Sequence, residues 1–220
     1  MNIKIKRGRK IALIGESGSG KSTILSVLRG LYSPQRGRVI YKNKELEYGF
    51  ARLKHNITLI PQDPEIFNNS IEFNITMDLK ASKEDIDKSV KMAQFEKIIK
   101  RLDKGIKTNV MEKGVSLSGG EKQRLALARG LLAARNSDII LMDEPTSSVD
   151  SVNEVKIHEN IFKAFKDKTI ISSIHRLNLL NKFDYIYMFD DGKIVAEGTL
   201  DELMKNNKFK IMWQKHRGKK

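Results

Sequence analysis

The sequence predicts an α/β fold in which a mainly parallel sheet has helices on both faces and carries a helical insertion. Short apolar runs of strand length alternate with segments of helical periodicity, as is typical of a parallel sheet. The first apolar run is followed by a glycine-rich loop and then by a helix. A charged, helix-rich stretch at roughly 67–135 separates the early strands from a later one, which indicates the insertion.

The first 66 residues are predicted to hold three strands and one helix. The apolar run KIALI at 10–14 predicts a buried strand. In ILSVLRGLY, which starts at Ile24, apolar residues recur at helical spacing, and Gly30 and Pro34 are expected to end that helix. RVIYKNKEL alternates like a strand followed by a turn, and ITLI predicts a buried strand that ends at Pro61.

The rest of the chain continues the alternation. Ser82 followed by Asp85 predicts a helix start, and FEKIIKRL a second helix. DIILMDE at 138–144 predicts the next buried strand, and a helix is expected around 153–166. TIISSIH, YIYMFDDG and the hairpin GKIVAEGT predict further strands, and 199–214 a final helix with a basic tail.

The residue composition fits an ordinary globular protein and excludes several classes of site. Hydrophobic residues make up 40% and charged residues 31% of the 220 residues, which allows a sizeable core. The absence of cysteine excludes disulfides and thiolate metal sites. No apolar run is long enough to cross a bilayer, and the basic N-terminus lacks the apolar stretch of a secretory signal. A cytosolic location is therefore expected.

The net charge of +14 has two interpretations. The terminal clusters KIKRGRK and KHRGKK suit an anionic membrane surface or a nucleic acid. Alternatively, the basic residues are the solvated lysine faces of an ordinary lysine-rich protein. Aromatic residues are not interleaved with the basic ones, so nothing indicates base stacking. We favour the second interpretation and expect no specific nucleic-acid partner.

The glycine-rich loop GESGSGKS fits the pattern G-x-x-x-x-G-K-[ST] of a phosphate-binding loop. Glycines are needed because backbone N–H groups must turn toward phosphate oxygens, and a side chain would block their approach. The helix that follows points its positive N-terminus at the same oxygens. Lys21 is expected to reach the β- and γ-phosphates, and the Ser22 hydroxyl to bind Mg²⁺. The predicted nucleotide-binding residues of this loop are Gly15, Glu16, Ser17, Gly18, Ser19, Gly20, Lys21, Ser22 and Thr23.

Two carboxylates, Asp143 and Glu144, follow the apolar run DIILM. A buried strand that ends in aspartate beside a phosphate loop is typical of an acid associated with Mg²⁺. Glu144 can face the attacking water and polarise it as a general base. The alternative is a pair of solvated carboxylates at a strand end, which the phosphate loop in the same chain disfavours.

Residues 117–129, LSGGEKQRLALAR, resemble the signature motif of ATP-binding cassette (ABC) ATPases. The family's other motifs are present in the expected order along the chain. The phosphate loop and the Q-loop PQDPEIFNNSI with Gln62 precede the signature. The Walker B strand DIILMDE, the D-loop SSVD with Asp150, and SSIHRL with His175 as switch histidine come after it. The resemblance implies a P-loop NTPase (RecA-like) core at 1–66 and 136–200, a helical subdomain at 67–135, and a C-terminal helix and basic tail at 201–220.

The signature motif also has a physical interpretation. Ser118 and Glu121 have the spacing of a capping box, and the N-terminus of the helix they begin is a potential anion site. A well-capped structural helix is the alternative that remains open. The resemblance implies that this helix end binds the γ-phosphate of ATP held by a second subunit, so that two domains enclose two ATP molecules. The signature residues so implicated are Leu117, Ser118, Gly119, Gly120 and Glu121.

The resemblance further implies ATP hydrolysis with Mg²⁺ held by Ser22, Gln62 and Asp143. Lys21, Glu144 and His175 are the implied catalytic residues, with His175 on the γ-phosphate. The implied partners are a second ABC domain, identical or different, and a transmembrane domain that is either a separate chain or an upstream segment. Such a domain is expected at the cytoplasmic face of the cell membrane.

The exporter branch fits best, because PQDPEIFNNSI resembles the exporter segment that meets the membrane domain, and Glu112 supplies an acidic residue before the signature. Two residues depart from the pattern near that expected interface, Met111 in place of glycine and Phe73 in place of glutamate. The alternatives are a soluble ABC ATPase that acts on nucleic acid or the ribosome, and a non-hydrolysing remnant of a half-transporter.

The start of the chain is a further departure. Family members normally carry two more strands and an adenine-stacking aromatic residue before the phosphate loop, whereas no Tyr, Phe or Trp precedes Tyr32. We therefore expect a missing N-terminal lobe, by truncation or by a gene start set too late, and weak adenine stacking.

Overall fold

The computed structural model describes residues 1–47, 49–63, 65–110 and 117–217. The strands are β1 (Lys10–Ile14), β2 (Ile40–Tyr41), β3 (Lys44–Glu45), β4 (Ile57–Ile60), β5 (Ile139–Met142), β6 (Thr169–Ser173), β7 (Tyr185–Asp190) and β8 (Lys193–Gly198). The α-helices are α1 (Lys21–Arg29), α2 (Ile71–Thr76), α3 (Lys83–Met92), α4 (Glu96–Lys100), α5 (Gly119–Ala133), α6 (Ser151–Ala164), α7 (Leu200–Leu203) and α8 (Asn207–Arg217).

Six strands form one sheet in the order β4-β5-β6-β1-β7-β8. β1 is parallel to β6 and β7, and β5 is parallel to β6. Among the pairs of this sheet whose register is defined, only that of β7 and β8 is antiparallel. The prediction of a mainly parallel α/β sheet is therefore confirmed. RVIYKNKEL, predicted as one strand and a turn, instead forms the small hairpin of β2 and β3, in which Lys42 and Asn43 take left-handed conformations.

The central strands are buried on both faces, as is usual for parallel strands that are covered by helices. All five residues of β1 and all five of β6 are buried. α1 packs Leu25 and Leu28 into this core and ends at Gly30, as predicted, in a left-handed conformation that favours glycine. Leu31, which the periodicity placed in the helix, lies beyond its end and is 61% exposed.

The chain divides into two compact units. The first comprises 1–59, 137–144 and 167–220, and the second 60–136 and 145–166. α6 thus groups with the helical unit, whereas the sequence division placed 136–200 with the core. Within the second unit α6 packs against α3, and the Asn160 side-chain amide donates to the Lys91 carbonyl at 3.4 Å. The functional division into a nucleotide core and a helical subdomain remains a prediction.

The C-terminal region holds two helices, where the sequence predicted a single one over 199–214. Thr199 and Glu202 form a capping box that begins α7. Asn206 then accepts a hydrogen bond from the Phe209 N–H at 3.2 Å, which is the geometry of a new helix start. A second capping residue therefore explains why the continuous apolar pattern is divided.

Candidate nucleotide site

The sheet order places three predicted segments at one edge of the first unit. β5, β6 and β1 are consecutive neighbours and run parallel, so their carboxyl ends lie side by side. The phosphate loop follows β1, Asp143 and Glu144 follow β5, and His175 comes two residues after β6. Ligands of open parallel sheets bind at this edge, and here it combines the loop, the acid pair and the histidine.

The phosphate loop has a backbone that only glycine fits at its start. Gly15 has φ +147°, and an added Cβ would collide with the Phe189 carbonyl oxygen and lie 2.6 Å from Ser19 Oγ. Gly20 takes the N-cap position of α1 at φ +101°, and there an added Cβ would lie 3.3 Å from the Gly192 Cα. Because Gly20 has no side chain to cap the helix, the first amides of α1 remain available to an anion. The loop therefore fits the phosphate groups of a nucleotide.

Lys21 is enclosed by this loop. Its ammonium donates to the carbonyl oxygens of Gly15 at 2.9 Å and Glu16 at 3.0 Å, and to Ser19 Oγ at 3.5 Å. Burial lowers the pKa of Lys21, while the negative charges of Glu144 and Asp143 act in the opposite direction. The structure thus brings Lys21 and both predicted carboxylates into one electrostatic neighbourhood.

Ser173, the last residue of β6, links the two carboxylate residues. Its hydroxyl donates to Asp143 Oδ1 at 2.7 Å and accepts from the Glu144 N–H at 2.7 Å. Glu144 has φ +41°, a left-handed conformation that is uncommon for a residue with a side chain. Sequence reasoning missed Ser173. The sequence shows only a polar residue at the end of an apolar run, and it does not show that the strand lies beside the one that ends in Asp143 and Glu144.

His175 is exposed at the same edge of the sheet. Its ring meets that of His216 from α8 edge to face, with centroids 5.8 Å apart. The backbone just before it is fixed, because the Ile174 N–H donates to the Leu13 carbonyl at 2.9 Å. The imidazole therefore projects from an ordered extension of the central strands.

The predicted Mg²⁺ ligands are distributed over both units. Ser22 and Asp143 belong to the first unit, and Gln62, just after β4, belongs to the second. Within the described ranges, no group of three or more His, Cys, Asp or Glu residues is arranged to hold a metal. One hydroxyl and one carboxylate still suit Mg²⁺, because that ion usually keeps several waters and binds through one or two carboxylates plus substrate phosphates.

The signature residues begin α5 in the second unit. Ser118 Oγ accepts from the Glu121 N–H at 3.4 Å, and Glu121 Oε2 accepts from the Ser118 N–H at 2.9 Å, so the predicted capping box is formed. Arg101 pairs with the other Glu121 oxygen at 2.7 Å. Leu117 is buried before the cap, which anchors the start of the helix.

The D-loop packs closely on the signature helix within the same unit. An added Cβ at Gly120 would lie 2.6 Å from the Ser148 carbonyl oxygen. Gln123 donates to Ser147 Oγ at 2.9 Å and accepts from the Ser148 N–H at 2.8 Å. Gln123 is a second residue that sequence reasoning missed, because it reads as an ordinary helix former.

Asp150 ends the D-loop and caps α6. Its carboxylate accepts from the N–H of Asn153 at 3.0 Å and from the Asn153 side-chain amide at 2.7 Å. These bonds hold the pKa of Asp150 below its ordinary value. The carboxylate therefore stays ionised and fixed at the start of α6.

Of the two departures near the expected membrane interface, only Phe73 can be placed. Phe73 lies in α2, where its N–H donates to Ser70 Oγ at 3.0 Å and its ring meets Phe67 edge to face at 6.5 Å. Met111 and the exporter-type acid Glu112 lie outside the described residues. Within the described ranges, no helix is both long and apolar enough to span a bilayer.

Known proteins resemble this chain in sequence and in fold. A family model described as ABC transporter matches residues 1–147. The chain is 36% identical over 209 residues to a putative export ATP-binding/permease protein of Rickettsia felis, covering 94% of this chain and 36% of that protein. It is 37% identical over 209 residues to the ATP-dependent lipid A-core flippase of Escherichia coli K12, again covering 94% of this chain and 36% of the relative.

A solved structure gives the same relationship. A bacterial Atm1-family ABC exporter with ATP bound superposes with a TM-score of 0.85 at 34% identity, covering 96% of this chain and 37% of the exporter chain. The chain thus spans a little over a third of the length of these relatives. It belongs to the ABC transporter family, as an ATP-binding domain of the kind found in exporters.

Proposed function

We propose that this chain binds ATP with Mg²⁺ and hydrolyses it as the motor domain of an exporter. The observation that carries the proposal is the meeting of the phosphate loop, the acid pair and His175 at one edge of the sheet, with Lys21 in the field of Asp143 and Glu144. The family membership supports ATP as the nucleotide.

In the proposed reaction, a water oxygen bonds to the γ-phosphorus while the bond to the β,γ-bridging oxygen breaks. Glu144 accepts the proton from the attacking water. Lys21 and the amides of residues 15–22 stabilise negative charge on the transferring phosphoryl group, and His175 holds its oxygens. The bond from the Glu144 N–H to Ser173 restrains the backbone that carries the base before the nucleotide arrives.

Ser22 and Asp143, with Gln62, are the residues proposed to hold Mg²⁺. Bound there, the ion would neutralise charge on the β- and γ-phosphates. Ser173 orients Asp143 through the 2.7 Å bond to Oδ1, a supporting role that is common behind metal ligands.

Turnover is proposed to need a second ABC domain, identical or different. The N-terminus of α5 suits an anion, because Ser118 and Glu121 order its first turn and the space beside Gly119 is open. We assign it the γ-phosphate of ATP bound by the partner domain, with the fixed Asp150 close to that junction. A transmembrane partner would receive the resulting motion at the cytoplasmic face of the membrane, as the export and flippase functions named for the relatives suggest.

The direct test is Glu144→Gln. The variant is expected to bind ATP as the original chain does and to dimerise with it, but to lose turnover by about a hundredfold or more if Glu144 is the base. Glu84→Gln is the matched control, since Glu84 is an exposed carboxylate that pairs only with Lys88 on α3 among the contacts defined for it. Wild-type turnover in Glu144→Gln refutes the assignment of the base.

Two further measurements separate the alternatives. Absence of turnover at a protein concentration that gives dimers would favour a non-hydrolysing domain. Recovery of the chain with nucleic acid or ribosomes rather than with membranes would favour a soluble ABC ATPase. The proposal expects turnover and membrane association.

A further inference from the structure

The C-terminal helix α8 is firmly packed within the first unit. Phe209 is completely buried, Met212 is buried, and the Trp213 ring lies 5.6 Å from the Phe209 ring. Asn206 caps the helix start through the Phe209 N–H. α8 is therefore anchored by its apolar face, and its last described turns have a defined position in the unit that holds the phosphate loop.

Two successive residues near the end of α8 touch two different parts of the nucleotide site. Lys215 Nζ lies 3.8 Å from Glu16 Oε1 in the phosphate loop. The His216 ring meets the His175 ring at a centroid distance of 5.8 Å and an interplanar angle of 88°. One short segment thus reaches both the loop and the histidine assigned to the γ-phosphate.

Glu16 places a negatively charged side chain on a loop that is proposed to bind a polyanion. Its carbonyl oxygen accepts from Lys21, so its backbone is part of the phosphate cradle, while its side chain is 83% exposed. A carboxylate on a loop that binds phosphates lowers their affinity, because like charges repel one another even across solvent. Lys215 offsets that charge from outside the loop.

The contact with His216 has a different consequence. An edge-to-face arrangement is the preferred geometry of ring pairs, and it restricts the rotation of an otherwise exposed side chain. His175 needs a defined orientation if it is to hold the γ-phosphate, and the backbone fixes only its Cα. His216 supplies the missing restraint on the ring.

We propose that α8 is a working part of the nucleotide site, with Lys215 as a nucleotide-affinity residue that neutralises Glu16 and His216 as a positioning residue that orients His175. The inference rests on the proposed function, because it presumes that residues 15–22 bind ATP and that His175 acts in turnover. The two contacts have separable effects: one changes nucleotide affinity, and the other changes the rate of the chemical step.

The affinity arm uses Lys215→Ala, Glu16→Gln and the double variant, with the Kd of a fluorescent ATP analogue as readout. Lys215→Ala is expected to raise Kd by about two- to fivefold, the range of an exposed charge pair. Glu16→Gln lowers Kd, and in that background Lys215→Ala has no further effect, because the charge it offsets is gone. Lys210→Ala is the control, since Lys210 is an exposed lysine on the same helix.

The positioning arm compares His216→Ala with His216→Phe. Alanine is expected to lower kcat by about two- to tenfold with an unchanged Kd for the ATP analogue, while phenylalanine, which keeps an aromatic edge, retains most of the rate. A purely structural role would lower the free energy of unfolding and affect Kd and kcat together. In a His175→Ala background, His216→Ala should have no further effect.

The outcomes distinguish failure of the proposed ATPase function from failure of the role proposed for α8. If Lys21→Ala and Glu144→Gln hydrolyse ATP at the wild-type rate, the proposed function fails. If those variants are inactive but Lys215→Ala and His216→Ala behave like Lys210→Ala, only the role of α8 is overturned. It is also overturned if Lys215→Ala raises Kd equally with and without the Glu16→Gln change, or if His216→Ala and His216→Phe have equal kcat.

Discussion

Replacing Ser173 by alanine tests the geometry of the acid pair most directly. The Ser173 hydroxyl is buried, and it bonds Asp143 Oδ1 and the Glu144 N–H, each at 2.7 Å. Alanine leaves the Glu144 N–H without this acceptor, which costs about 1–3 kcal/mol. It also removes the hydrogen bond to the charged Asp143 carboxylate, which contributes about 1.5–3 kcal/mol. Because one hydroxyl makes both bonds, the losses are not additive, and we expect the free energy of unfolding to fall by about 2–4 kcal/mol.

The same change should impair turnover more than binding. Asp143 loses the hydroxyl that orients its carboxylate, and Glu144 loses the acceptor of its backbone N–H, whereas the phosphate loop keeps its own bonds. A displacement of reacting groups by an ångström can reduce a rate by about a hundredfold, so we expect kcat to fall by about ten- to a hundredfold. The Kd for ATP, measured in parallel, should change far less.

Ser172→Ala provides the matched comparison. Ser172 is the adjacent residue of β6 and is equally buried, but its hydroxyl donates to the Ser173 carbonyl at 3.3 Å rather than to the acid pair. We expect a loss of about 1 kcal/mol and a normal kcat. Urea denaturation and steady-state turnover measure both quantities. Equal losses of stability and of kcat in the two variants would refute the reasoning.

Two further predictions concern other parts of the chain. Gly120→Ala should lower the free energy of unfolding by about 1–3 kcal/mol in urea denaturation, because its Cβ would meet the Ser148 carbonyl oxygen, whereas Gly119→Ala, with open space around it, should not. Burial lowers the pKa of His158 below 6.5, while its bond to Glu154 acts in the opposite direction. The free energy of unfolding should therefore fall as pH falls through about 6.5, because the unfolded chain gains a proton there that the folded chain excludes. His158→Leu should remove this slope from urea denaturation measured at a series of pH values.

The parts of the fold that were predicted from sequence are those whose causes are local. A loop in which Gly15 and Gly20 need positive φ can be recognised from eight residues, because the backbone conformation itself demands glycine. The capping box of Ser118 and Glu121 is equally local, since its two bonds span three residues. The prediction of a single helix over 199–214 was wrong because it followed the continuous apolar pattern and overlooked another local signal, the cap at Asn206.

What the sequence left open depends on which strands become neighbours. Nothing in TIISSIH shows that its second serine will face Asp143, because that contact exists only when β6 lies between β5 and β1. Gln123 is similar, since its link to the D-loop requires α5 to pack against residues 24 and 25 positions further along the chain. The chemical groups were therefore predicted individually, and the side chains that connect them were not.

This difference explains why the connecting residues offer the sharper experiments. Removing Lys21 or Glu144 deletes a chemical group that the proposed reaction needs, so the loss of turnover says little about geometry. Ser173 and His216, by contrast, are proposed to act by holding another residue in place. A change of rate in their variants, with nucleotide affinity preserved, therefore reports on the arrangement itself. A family motif cannot guarantee that arrangement, because it depends on contacts outside the motifs, such as those of Lys215 with Glu16 and of His216 with His175.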